Sequence, residues 1–176
     1  VIPVYTCMGI SSDSSVNFFA VDEEYKELLG LNEMLDDTAY FTDINSEKVD
    51  FDVSVTKVVE NGYVSDKLEH ITLNAESGVD EKLLLSSITE NMMPSERENM
   101  TCFVNMNTFC KVASLLVGSK IKNVADLDSF YDLIRISNIY VYVDNLSLLS
   151  LVNSTLTSEK YYTNAPIGEF EKYEEI

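Results

Sequence analysis

The stretch from Val79 to Asn145 constrains the fold most. In it an amphipathic helix, a short apolar strand, a second helix and a long aliphatic strand follow one another with readable ends. Asp80 is placed as an N-cap, with Val79 and Leu84 as a hydrophobic staple across it and Glu81 in the first turn, where the helix dipole favours a carboxylate. Leu84, Ile88 and Met92 recur at spacing four as one buried stripe, and Pro94 stops the helix. Thr101 to Met106 is short and mostly apolar, which suits a strand covered on both faces. Asn107 or Thr108 caps the next helix, whose stripe is Phe109, Val112, Ala113 and Leu116, and Gly118 is placed for its C-cap. From Arg135 to Asp144, β-branched and aromatic residues give the strongest strand signal in the chain.

The preceding half reads as β-rich. Val1 to Val4, with Pro3, suits an edge strand or an arm, and Met8 to Ser15 reads as a serine-rich loop. Val16 to Val21 is a strand, and Asp22 caps a helical turn in which Tyr25, Leu28 and Leu29 face one way before Gly30 ends it. Leu31 to Asp37 suits another helical turn, and Ala39 to Phe41 leans toward β structure. Lys48 to Val59 alternates most cleanly, with Val49, Phe51, Val53 and Val55 on one face and Asp50, Asp52 and Ser54 on the other. Asn61-Gly62 then turns the strand back through Tyr63, Val64 and Leu68 to Leu73. The predicted fold is therefore α+β: a mixed or antiparallel sheet with helices on one side and an exposed hairpin near residues 48–73. It forms a single domain over 1–176, or a β-rich portion 1–76 beside an α/β portion 79–160. Leu146 to Leu156 fits helix or loop equally, Tyr161 and Tyr162 read as β, and 164–176 reads as a surface tail.

Charge narrows the function. With 12 Lys+Arg against 30 Asp+Glu the net charge is −18, and a field of that sign repels phosphate backbones and anionic lipid. Direct nucleic-acid binding and membrane binding are not expected, and no apolar run approaches the roughly 20 residues of a membrane span. The cysteines, Cys7, Cys102 and Cys110, lack metal-ligand spacing and read as small core hydrophobes in a reducing compartment. The three sequons decide nothing in a chain this rich in Asn, Ser and Thr. A chain that begins at Val1 is expected to be a processed product or an excised fragment.

The candidate chemical groups each have a simpler structural reading. His70 is the single histidine and would have to serve any triad, yet it sits in a hairpin strand. Asp50 and Asp52 share a strand face, about 7 Å apart by strand geometry, and have the form of a divalent-cation pair or of a solvated face. Asp126 and Asp128 offer the same choice against an N-cap. Lys111, Lys120 and Lys122 form the local basic cluster, a dipole partner for the helix they follow. With 6 Gly scattered along the chain there is neither a Walker nor a dinucleotide motif. We assign no catalytic, cofactor-binding or metal residue and expect no enzyme and no cofactor.

The order of elements in residues 79–145 resembles the central α/β subdomain of tailed-phage major capsid proteins, through Asp80 to Leu84, Cys102 to Asn107, Thr108 to Leu116 and Ile139 to Asn145. Less closely, Phe103 to Phe109 is similar to the strand-then-helix unit of sliding clamps of DNA replication. The first resemblance implies a non-catalytic, self-assembling shell subunit in the cytoplasm or virion, with its own copies or other protein subunits as partners. The Asn61-Gly62 hairpin would then overlap a neighbour, and the acidity would keep the subunit off packaged DNA.

Overall fold

The computed structural model describes residues 2–11, 14–22, 26–59, 62–80, 100–130, 133–141, 143, 145–160 and 163. The helix expected after Asp80, Asn61 of the hairpin turn, Tyr161, Tyr162 and the 164–176 tail lie outside them. Two compact units are distinguished, Ile2–Tyr140 and a second made of Val141–Ile176 with Val1.

The larger unit holds strands β1 (Ile2–Ser11), β2 (Ser14–Val21), β3 (Thr38–Phe41), β4 (Lys48–Val59), β5 (Gly62–Ser77), β6 (Met100–Asn105) and β7 (Arg135–Tyr140). It also holds helices α1 (Met106–Val117) and α2 (Val124–Leu127) and single 3-10 turns at Lys26–Leu29 and Asp128–Phe130. The strands run in the order β2-β6-β3-β5-β4-β1-β7, and β2 also pairs with β1. That last pairing closes six strands into a barrel and leaves β7 outside the ring on β1. The sequence reading was a mixed or antiparallel sheet with helices on one side; the α+β class holds, and the sheet is corrected to one that closes into a barrel.

The physical reason lies in strands that are apolar at successive positions. Phe18, Phe19, Ala20 and Val21 on β2 and Cys102, Phe103 and Val104 on β6 are all buried, so both faces of these parallel neighbours need cover. One face turns into the barrel, where Cys7, Val16, Phe18, Ala20, Phe41, Phe51, Val53, Leu73, Cys102 and Val104 meet Phe109, Val112, Ala113 and Leu116 of α1. Phe18 and Phe51 are edge-to-face at 4.9 Å although β1 runs between their strands, which requires both rings to point inward. The other face of β2 and β6 is covered by the segment after β2: Leu29, Leu31 and Met34 pack with Val4, Phe19, Val21, Tyr40, Val79 and Phe103.

Closure rests on two narrow seams. β3 meets β6 at the single pair Tyr40 and Phe103, and β4 meets β1 at the single pair Ile10 and Asp52. Elsewhere the ladders are long: β4 and β5 pair from Lys48 with Asn74 out to Val59 with Gly62. β1 is a full strand hairpinned to β2 at Ser11 and Ser14, where the sequence suggested a loop. Gly9 makes this possible, since a Cβ there would lie 2.8 Å from Cε2 of Phe18. No helix forms over Leu31 to Asp37.

α1 begins earlier than expected. Asn105 is its N-cap, with Oδ1 accepting from the Thr108 N–H at 2.9 Å, and Gly118 (φ 63) closes it as foreseen, its N–H donating to the Leu115 carbonyl. In the smaller unit, a 3-10 turn at Leu146–Leu148 leads into α3 (Leu149–Ser158), which settles the choice there for helix. No helix of the described residues is long and apolar enough to cross a membrane.

Candidate functional site: the outer face and free edge of the hairpin

The alternation of β4 sends Phe51 and Val53 into the barrel and leaves Asp50 and Asp52 on its outer face, opposite Thr72 and His70 of β5. His70 Nδ1 lies 3.0 Å from Asp52 Oδ1 and Nε2 lies 3.5 Å from Asp50 Oδ1. The Thr72 hydroxyl donates to Asp50 Oδ1 at 2.6 Å. The hydrogen bond to Asp52 raises the His70 pKa above the ordinary histidine value, and the charges of Asp50 and Asp52 act in the same direction. The structure thus brings Asp50, Asp52 and His70 together, but as exposed cross-strand pairs that fix register. Among the described residues no group of three or more His, Cys, Asp and Glu is arranged to hold a metal ion.

The other candidates are dispersed. Asp126 Oδ2 accepts from the Lys122 N–H at 2.8 Å and the Asn123 N–H at 3.3 Å, so it caps a loop, while Asp128 opens a 3-10 turn. Lys111 Nζ pairs with Asp37 at 2.6 Å, and Lys120 and Lys122 are exposed. All three cysteines are buried: burial pushes the Cys7 thiol up to about 12, and it raises Cys102 and Cys110 as well. Such thiols stay protonated near neutrality and are poor nucleophiles.

Two features escaped the sequence. At the first, Asn105 Nδ2 donates to Asp36 Oδ1 at 2.7 Å and to the Met34 carbonyl, Asn107 donates to Asp36, and Thr108 Oγ1 accepts from the Asp37 N–H at 2.8 Å. These bonds hold the Asp36 carboxyl below the usual carboxylate range and latch the entry to β3 onto the start of α1. Residues about 70 positions apart meet here, so no local pattern announces it.

The second is the edge of β5. β3 joins β5 at Asn74–Ser77, and from Gly62 to Leu73 the one strand partner of β5 among the described residues is β4. Along this edge Leu68 is 58% exposed, and the ion pair of Lys67 and Glu69 flanks it on one strand. Apolar exposure beside an unpaired strand edge is a site where another chain can dock. A sequence signal existed in the opposite charges either side of Leu68, but which edge stays open depends on where β3 lands. No protein family, curated protein or solved structure matches this chain.

Proposed function

We propose that the protein is a non-enzymatic assembly subunit that works by protein–protein contact, in the specific form of a viral or phage capsid-type subunit. The observation that carries this reading is the hairpin: β4 and β5 run on to Val59 and Gly62, while their neighbours in the ring reach β4 at Asp52 and β5 at Asn74 and beyond. A two-stranded ribbon with no third strand among the described residues is marginal in water and gains most by lying on another chain. The capsid form draws its support from the resemblance over residues 79–145, where a strand (Met100–Asn105) does feed directly into a helix (Met106–Val117).

Mass measured by light scattering at two concentrations tests the reading. A concentration-dependent assembly, lost when Thr56–Ser65 is replaced by a two-residue Asn-Gly turn, is expected. A closed dimer or trimer that keeps its mass after that replacement would favour a clamp-like accessory domain instead. A monomer at every concentration overturns assembly altogether.

A further inference from the structure

We infer that the open edge of β5 is a twofold interface, in which β5 pairs antiparallel with β5 of a second copy about an axis through Leu68. The inference deepens the assembly reading and rests on it. Three observations lead to it. Among the described residues, the edge without a second strand partner runs from Gly62 to Leu73, and Leu68 lies at its middle, so pairing there uses nearly the whole available length before β3 intervenes at Asn74. Leu68 is the most exposed large hydrophobic residue described in the barrel unit, at 58%. Antiparallel pairing centred on it buries it against its own counterpart.

Charge supplies the register. About an axis at Leu68, Lys67 faces Glu69 of the second copy, and Glu69 faces Lys67, so the ion pair now made within one strand is remade twice across the interface. Shifting the axis by one residue to Glu69 would set Glu69 against Glu69, which disfavours that register. The approach is also electrically quiet. Along the edge itself, Gly62 to Leu73, Lys67 stands against Asp66 and Glu69 for a net of −1, in a chain whose net charge is −18. A β-bulge interrupts the hairpin where Val55 pairs with Lys67 and Thr56 with Ser65. Under the twofold it falls symmetrically outside the central pairs of Lys67, Leu68 and Glu69, which stay regular.

Sedimentation velocity of four proteins tests this: the unaltered chain, Lys67→Glu, Glu69→Lys, and the double exchange. Each single reversal sets like charges opposite one another twice and is expected to weaken association by roughly tenfold. The double exchange restores both pairs at an unchanged net charge and should associate like the original. Far-UV circular dichroism identifies any variant that fails to fold. Amide exchange on the unaltered chain gives an independent reading, with protection at alternate residues of Lys67–Leu73 rising with protein concentration. Association indifferent to the single reversals, or not regained by the double exchange, overturns this interface and leaves the assembly reading standing. A monomeric unaltered chain removes both.

Discussion

The same two strands live in two environments. At the base of the hairpin, Phe51, Val53 and Leu73 are almost wholly buried, and the ladder continues into β1 and β3 on either side. Farther out, β4 and β5 have one another as strand partners among the described residues, and Leu68 stands in solvent. The base is held by side-chain packing, which is worth several kcal/mol per large residue and reaches out as far as Val55, and beyond it the paired backbones of β4 and β5 continue to Val59 and Gly62. Stability and contact are thus assigned to different lengths of one supersecondary element.

That division is open to attack at its strongest point, Phe109, which is fully buried in the cluster that holds Tyr5, Phe18, Phe41 and Phe51. Phe109→Ala should lower unfolding free energy by about 3 to 5 kcal/mol in chemical denaturation. A loss under about 1 kcal/mol would mean that α1 does not fill the barrel as described. Next, Gly9→Ala should cost about 1 to 3 kcal/mol, because the new methyl meets a Phe18 ring already wedged against Phe51 and cannot displace it freely. An unchanged midpoint would show that β1 is looser than its pairing implies. Asn105→Ala removes the α1 cap and both bonds to Asp36 and Met34, and about 1 to 2 kcal/mol is expected from thermal or urea unfolding.

Outside the barrel the effects should shrink. Leu68→Ser, measured at a concentration where the chain is dissociated, should change stability by no more than about 0.5 kcal/mol. A larger loss would place Leu68 in the core economy of the barrel and erase the contrast drawn above. Smallest is the contribution of His70. Its folded pKa is raised, so its pairing with Asp52 adds stability that is complete below the ordinary histidine value near 6.5 and fades as pH rises through the folded value. Proton-detected titration of His70 should show that raised value, and Asp52→Asn should bring it down; no movement would mean the 3.0 Å contact is not populated in solution.

What the sequence disclosed and what it withheld divide along the same line of local against distant. The alternation of Val49 to Val55, the apolar run at Cys102 to Val104 and the stripe from Phe109 to Leu116 each depend on neighbours within a turn or two, and each appears where expected. The barrel does not depend on neighbours. Its closure needs β2 beside β6 and β3 beside β5, parallel pairings between strands far apart in the chain, and hydrophobic periodicity carries no address. β1 was missed beyond Val4 for a related reason: Gly9 and Ser11 look like loop residues until the Phe18 ring is known to need the space. The hairpin pairs Asp52 with His70 were within reach once the turn was placed, whereas the open edge beside Leu68 follows from where β3 ends.

The parallel pairing of β2 with β6 has one more consequence, for the order in which the molecule can be made. Val16 finds its neighbour in Met100, so during synthesis the strand stands ready long before the segment that completes it has left the ribosome. Nothing made in the interval can close the ring, and loop closure over that length is slow. The nascent chain must therefore carry an apolar, half-finished sheet while the residues between Val21 and Met100 are made, and shielding that sheet during the wait should raise its yield in a cell.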